Sequence, residues 1–249
     1  MLGYPGCVGW PRLREEDAIA KRVLDKYKGR LTPEEIAEGM NAAVRNAVRL
    51  AEDAELLLES GRFPSAAALA ILAIEESGKL SILRRLSVAQ GDDKGLDTAW
   101  RGYRSHTQKN VSWLLPQLFA KGARSLDDLI LLFRKDADHP FILDNLKQIS
   151  LYTDCLGDSH WSVPAEVIDE EIARVLVQIA RVMSKHPDAT AKEIELWVKH
   201  MKPYIGPGAA ADYGGAKRAL RAWYADMKQH GLTTHGDEKV EAFLYGSID

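Results

Sequence analysis

Apolar side chains fill every position from Ala66 to Ile74, within the segment Gly61–Leu86, whose sequence is GRFPSAAALAILAIEESGKLSILRRL. Pro64 suits the first turn of a helix, and Ser65 can help to cap its start. Because a helix that is apolar on all sides must be buried, this pattern predicts a helix through the middle of a helical domain. The run is too short to span a membrane, which takes about 20 residues.

Charged residues then interrupt this pattern without a change of helical phase. They are Glu75, Glu76 and Lys79. Residues four apart lie one above the other on a helix, so Glu75 and Lys79 continue the core-facing stripe of Leu72 and Leu83. The sequence therefore predicts a partly buried ion pair between Glu75 and Lys79. The pair either only positions the helix, or it includes a carboxylate whose pKa is shifted for chemistry or ligand binding.

A long helix is predicted before this segment. The start Thr32-Pro33-Glu34-Glu35 combines an N-cap threonine, a proline at the first helical position and a glutamate that completes a capping box. Apolar residues then recur with helical period as far as the stop at Ser60–Gly61. A connection of about three residues favours antiparallel packing against the helix that follows.

His106 is the candidate for acid–base chemistry. A helix capped by Asp97 is predicted to continue to Trp113, and the spacing places Tyr103, His106 and Trp113 on one face. An inward-facing histidine is either a core residue bonded to a carboxylate or an acid, a base or an RNA contact. The residues leave both alternatives open. The polar side chains expected beside it are Glu75, Glu76 and Lys109.

Further helices are predicted downstream, and the fold class is all-α. Helices start at Ser125, Pro164 and Thr190, and two more span Phe141–Tyr152 and Ala216–His230. The inward stripe predicted for the helix that ends at Tyr152 consists of Leu143, Leu146, Ile149 and Tyr152.

A polar loop follows Tyr152 and contains Asp154, Asp158 and His160. Such residues can bind a metal, but an Asp-Gly-Asp-Ser loop is more typical of a solvated turn, so we predict no metal and no cofactor. The spacing of the chain's two cysteines, Cys7 and Cys155, indicates neither a zinc site nor a disulfide framework.

Composition limits the classes of partner. The chain has 249 residues and a formal net charge of -3, with an isoelectric point near 6.2, which argues against a strongly basic nucleic-acid scaffold but not against a local basic groove. The N-terminal sequence lacks the charged and apolar regions of a secretion signal, so we expect a cytoplasmic protein without membrane contact.

Three motifs in sequence order resemble the AbiV family of bacterial abortive-infection proteins, in the HEPN-like class of helical domains. They are GRFPSAAALAILAIEESGK, then SHTQK at Ser105–Lys109, then LYTDCLGDSHWSVP at Leu151–Pro164. The resemblance implies a role in phage defence, with RNA or the translation machinery as target. It also implies that Tyr152 and Asp154, which match a tyrosine-x-aspartate element, are pocket residues beside the Glu-Glu helix.

The class resemblance suggests a second role for His106. Arg101 and His106 fit the R-x4-H spacing of HEPN-type ribonucleases, in which metal-independent cleavage would use the histidine on the ribose 2′-hydroxyl and the arginine on phosphate. Together with Tyr103, the site residues expected from the sequence are Glu75, Glu76, Lys79, Arg101, His106, Lys109, Tyr152 and Asp154.

We expect an antiparallel HEPN-like bundle over residues 32–186. Residues 1–31 are predicted to form an arm with a short helix at 17–27, and residues 187–249 a helical extension. A homodimer is the expected assembly, as is common for this class.

Two functions remain open: an effector that acts on RNA or blocks translation, and a non-enzymatic module that sequesters a phage or host protein. Solvent access to the Glu75–His106 group favours the first, and a sealed, fully paired group favours the second.

Overall fold

The computed structural model describes residues 25–134, 136–209 and 212–246, with the backbone alone at residues 130 and 131. Most of the predicted N-terminal arm therefore lies outside the described residues. The predicted helix at 17–27 also lies outside them, except for residues 25–27, which are not helical.

Two long helices form an antiparallel hairpin. Helix α1 spans Pro33–Glu59 and begins with the predicted capping box, and helix α2 spans Phe63–Val88. In the turn between them Gly61 has φ +69°, a backbone conformation that side chains other than glycine rarely adopt. Ile36 near the start of α1 shares a core cluster with Leu86 near the end of α2, as antiparallel packing requires.

Helix α2 is the central element of the fold, as its apolar pattern predicts. Its residues from Ala66 to Val88 are buried on nearly every side, and small alanine side chains let neighbouring helices approach closely. It packs against α1, against helices that follow it within residues 89–186, and against a helix of the C-terminal extension, residues 187–249. The polar residues within it therefore lie in the interior of the protein.

The remaining elements are mostly short helices. They are α3 Asp93–Arg104, α4 His106–Lys109, α5 Leu115–Ala120, α6 His139–Leu151, α7 Pro164–Val167, α8 Glu170–Met183, α9 Ala191–Ile205, α10 Tyr213–Gln229 and α11 Asp237–Tyr245. Two 3₁₀ helices span Asn110–Ser112 and Asp127–Phe133, and two short antiparallel strands, β1 Asp154–Leu156 and β2 His160–Ser162, form a hairpin. The all-α fold class is confirmed, with this hairpin as the sole sheet among the described residues.

Two predicted helices are interrupted. The helix expected from Asp97 to Trp113 breaks at Ser105, whose backbone is extended and whose hydroxyl caps α4. The helix expected from Pro164 breaks at Ile168, a buried residue between α7 and α8. The break at Ser105 was not predicted because an amphipathic period can continue through a change of helix direction.

Two smaller predictions also need correction. The segment after Ser125 forms a 3₁₀ helix rather than an amphipathic α-helix. The buried stripe of α6 follows a spacing of three and four residues instead of three alone, so the predicted stripe residue Tyr152 lies outside the helix and is exposed. The residues of α6 that are buried are His139, Pro140, Leu143, Lys147 and Ser150.

The C-terminal helices dock onto the hairpin of α1 and α2. Helix α9 packs against both, and its Ile194 is fully buried. Glu193 of α9 accepts a hydrogen bond from Arg84 of α2, and the Arg84 guanidinium lies 5.5 Å from the ring centroid of Trp197. Among the described residues, no helix combines the length and hydropathy needed to cross a membrane.

Candidate functional site

The carboxylate of Glu75 lies at the centre of a charged cluster inside the bundle. Glu75 is 2% exposed, and three basic side chains surround its two oxygen atoms. His106 Nδ1 lies 2.7 Å and Lys109 Nζ 3.3 Å from Oε2, while Lys147 Nζ lies 2.6 Å from Oε1. Such direct partners are what a buried carboxylate needs to remain charged.

Lys147 connects this carboxylate to a second one. Its Nζ lies 2.7 Å from Asp144 Oδ1, one turn earlier on α6, and the residue is 4% exposed. We refer to Glu75, His106, Lys109, Asp144 and Lys147 as the Glu75 cluster. Formal charges of the two carboxylates and two lysines cancel, so the cluster is neutral when His106 is neutral and carries one positive charge when it is protonated.

The close approach of α4 to α2 brings His106 and Lys109 to Glu75. Gly78 lies one turn after Glu75, and a Cβ at this position would overlap the backbone carbonyl of Lys109. Glycine is therefore required here for packing rather than for its backbone freedom. This contact gives the glycine of the Glu-Glu-x-Gly-Lys motif a physical role: it lets α4 place its side chains against α2.

Helix α6 contributes two further cluster residues, Asp144 and Lys147, which were not predicted from the sequence. A signal for Lys147 is present, since it follows Leu143 by four residues and thus lies on the buried stripe. A lysine on a buried stripe needs an anionic partner. That partner is 72 residues away in sequence, so local spacing could not identify it.

The pKa values of Glu75 and Lys147 shift in opposite directions. Burial by itself raises the pKa of Glu75, but the hydrogen bonds from Lys147 and His106 and the charge of Lys109 lower it to a net value below 4.5. Burial lowers the pKa of Lys147, yet the hydrogen bonds to Asp144 and Glu75 raise it above 10.5. Both groups are therefore charged at neutral pH.

His106 connects the buried carboxylate to solvent. Its side chain is 54% exposed, although its Nδ1 is bonded to a glutamate whose side chain is 3% exposed. An ionised carboxylate only accepts hydrogen bonds, so Nδ1–H donates and Nε2 carries the lone pair when the ring is neutral. Nε2 forms no hydrogen bond with the described part of the chain. It can accept a proton from a ligand or contact it directly.

The predicted ion pair between Glu75 and Lys79 is wrong. Lys79 Nζ instead lies 2.6 Å from Glu76 Oε1, and it lies 5.4 Å from the centroid of the Tyr103 ring. Lysines and a histidine from α4 and α6 occupy the oxygen atoms of Glu75. Glu76, Lys79 and Tyr103 therefore form a separate and partly exposed group.

The other expected site residues lie apart from the Glu75 cluster. Arg101 on α3 is 70% exposed and pairs with Asp97, 3.4 Å away on the same helix. Tyr152 and Asp154 are exposed beyond the end of α6, and Asp154 accepts a hydrogen bond from the backbone of Cys155. None of these residues is hydrogen-bonded to the Glu75 cluster within the described ranges.

A metal ion fits this cluster poorly. Glu75, His106 and Asp144 each offer a ligand atom, and these atoms lie within 4.8 Å of one another. However, the Lys147 ammonium group already bonds both carboxylates, and Lys109 adds a second positive charge. A divalent cation would meet two ammonium groups at contact distance, so the lysines already provide the compensating charge that such an ion would bring.

Comparison with known proteins gives one match. A family model described as AbiV, of the HEPN type, matches residues 35–185, which is more than half of the chain. Searches of curated proteins and of solved structures found no match. The matched range runs from α1 to the end of α8 and includes every residue of the Glu75 cluster.

Proposed function

Because the chain belongs to the AbiV family of abortive-infection proteins, we propose that it acts on RNA during phage infection through His106. The family itself gives the chain a role in phage defence. The observation that supports an action on RNA is the hydrogen bond between buried Glu75 and exposed His106. A carboxylate that holds one ring nitrogen leaves the other oriented toward a substrate and stabilises the imidazolium when it forms.

The proposed reaction is metal-independent cleavage of the RNA backbone. His106 Nε2 takes the proton of a ribose 2′-hydroxyl, and the 2′-oxygen bonds to the adjacent phosphorus while the bond from phosphorus to the 5′-oxygen breaks. The 5′-oxygen leaves with a proton, which the imidazolium can return. The products are a 2′,3′-cyclic phosphate and a 5′-hydroxyl. Arg101, exposed on the preceding helix, offers a guanidinium for the phosphate.

The competing function is a non-enzymatic binding module. The observation that favours it is the enclosure of Glu75, Lys109 and Lys147, which are 2%, 7% and 4% exposed, with both lysines paired to Glu75. A sealed network of this kind can have a purely structural role, in which it holds α2, α4 and α6 in position relative to one another. Defence would then come from sequestering a phage or host protein.

Induced expression of the full chain in a bacterial host distinguishes these functions. We expect the wild type to arrest growth with fragmented RNA and falling protein synthesis, and His106→Ala to abolish both effects. Lys109 and Lys147 still contact Glu75 in this variant, so the fold should remain intact, which circular dichroism can verify. His230→Ala, an exposed histidine outside the family match, is the matched control. Arrest with intact RNA in both variants would contradict the nuclease and favour the module.

We also propose that the protein is a cytoplasmic homodimer. HEPN domains often dimerise, and the β-hairpin region exposes the large side chains of Tyr152, Leu156 and Trp161, which are 60%, 43% and 62% exposed. In this proposal Tyr152 and Asp154 contact the partner or the target. Light scattering should give twice the monomer mass for the wild type and the monomer mass for Trp161→Glu. A monomeric wild type would contradict the proposal.

A further inference from the structure

Two clefts meet at Arg85 and Gln108, on the surface of α2 and α4. The first has a volume of about 610 Å³ and lies between α2, α4, the 3₁₀ helix Asp127–Phe133 and the start of α6. The second, of about 370 Å³, lies between α2, α3 and the end of α9. Arg85 and Gln108 line both clefts, so the two clefts are adjacent on the surface, and we refer to them together as the track.

Arg85 places an uncompensated positive charge at the middle of this track. No salt bridge or hydrogen bond joins its guanidinium to another side chain in the part of the chain that the structure describes. Arg85 is exposed at the cleft wall and, like other arginines in proteins, it stays protonated. A solvent-exposed guanidinium that has no carboxylate partner can bind an anionic ligand through its N–H groups.

Two phenylalanines expose their rings at one end of the track. Phe133 and Phe141 line the first cleft and are 55% and 60% exposed, which costs free energy unless a ligand covers them. Polar groups of Thr107 and Ser112 line the same cleft, and Lys94 lines the second. Exposed aromatic rings beside an arginine are the combination that binds unstacked bases and phosphate.

We infer that this track binds single-stranded RNA, with a phosphate on Arg85 and bases stacked on Phe133 and Phe141. The inference rests on the proposed action on RNA and names how the strand is held. The four-residue helix α4 contributes His106 to the Glu75 cluster and Gln108 to the track, on different sides of the helix. Helix α4 is about 10 Å in diameter, so a single RNA strand that crosses it can contact both the Glu75 cluster and the track. An acidic peptide would satisfy Arg85 but would leave the rings uncovered.

The test is the affinity of the full-length His106→Ala protein for a fluorescein-labelled, unstructured RNA of 12 nucleotides, by fluorescence anisotropy. In this background RNA is bound without being cut. We expect Arg85→Gln and Phe141→Ala each to weaken binding at least about fivefold. Arg85→Gln should also reduce the slope of log affinity against log salt by about 0.7. The matched controls, exposed Arg49→Gln and Leu56→Ala on α1, should stay within about twofold.

Several results would overturn the inference: equal affinities for the cleft variants and the controls, equal binding of a duplex of the same sequence, or occupation of the cleft by an oligoglutamate but not by RNA. The catalytic proposal fails separately. If growth arrest requires His106 while Arg85→Gln binds RNA like the controls, only the track is wrong. If the track variants lose binding while arrest persists without His106, only the proposed cleavage is wrong.

Discussion

Glu75 and Glu76 are neighbours in sequence but differ in environment, which decides what each can do. Glu75 points into the bundle, where its carboxylate bonds His106, Lys109 and Lys147, whereas Glu76 is partly exposed and pairs with a single lysine. The burial of a charge here was predictable, because Glu75 continues the apolar phase of α2. Its partners were not, because the sequence favours the nearest lysine and contains no direct record of contacts between helices.

Replacing Glu75 with glutamine should destabilise the protein strongly. The variant leaves buried Lys109 without a carboxylate partner and Lys147 with Asp144 alone, and breaking a buried pair in this way costs about 3–5 kcal/mol. Glu76→Gln is the matched control and should cost less than about 1 kcal/mol, because its ion pair is partly exposed. Urea denaturation followed by circular dichroism measures both values. Similar losses of unfolding free energy in the two variants would mean that the buried ion pairs of Glu75 contribute little to stability.

The low pKa of Glu75 also predicts how the free energy of unfolding depends on pH. Because its pKa in the folded protein lies below the ordinary value of 4.5, its contribution to stability is complete above that value and is lost as the pH falls through the folded pKa. The difference in unfolding free energy between wild type and Glu75→Gln should therefore shrink as the pH falls below about 4.5. A difference that stays constant down to pH 3 would contradict the charged, hydrogen-bonded state of Glu75.

At the scale of the element, α4 owes its position to one glycine. Four residues are too few to hold a helix in place by their own hydrogen bonds, so contacts with α2 and α6 must do so. Gly78 permits one of these contacts, because a Cβ at this position would overlap the backbone of Lys109.

Replacing Gly78 with alanine should lower the stability of the protein, whereas the same replacement at another helical glycine should raise it. Gly78→Ala inserts a methyl group into the Lys109 backbone and should cost about 1–3 kcal/mol. Gly39→Ala on α1 should stabilise by about 0.5–1 kcal/mol, since alanine favours helix and its Cβ would lie 3.8 Å from Leu83. Chemical denaturation of both variants tests this. Two stabilised proteins would show that α4 does not require the close contact.

Local sequence signals predicted some elements well and others poorly. The start of α1 was predictable because Thr32 and Glu35 form their capping box within one turn. The break at Ser105 was not, although serine is a good N-cap, because the apolar period runs on past it. The β-hairpin was missed because two three-residue strands are too short to display an alternating pattern.

At the scale of the whole molecule, the C-terminal helices complete the core that the family match covers only in part. Helix α9 places Ile194 in the same cluster as Ile36, Leu83 and Leu86. Arg84 lies near the rings of both Trp197 and Trp223, with centroid distances of 5.5 and 5.9 Å. These contacts join the extension to the helix that carries Glu75.

Removal of residues 187–249 should therefore weaken the remaining bundle. The truncated chain would expose the apolar cluster of α1 and α2, and each large aliphatic side chain that returns to water costs about 1.5–3 kcal/mol. We expect a lower thermal midpoint and increased binding of a hydrophobic dye. An unchanged midpoint would mean that residues 32–186 fold as an independent unit, with the predicted boundary near residue 187 as a true domain limit.

The chemistry of the RNA ends in arrested cells tests most directly whether His106 acts on RNA. We expect fragments with 2′,3′-cyclic phosphate and 5′-hydroxyl ends after induction of the wild type, detected by ligation that requires each end type. The same ends should be absent after induction of His106→Ala and present after His230→Ala. Cyclic phosphate ends that persist without His106, or arrest without any such ends in the wild type, would contradict an action of His106 on RNA.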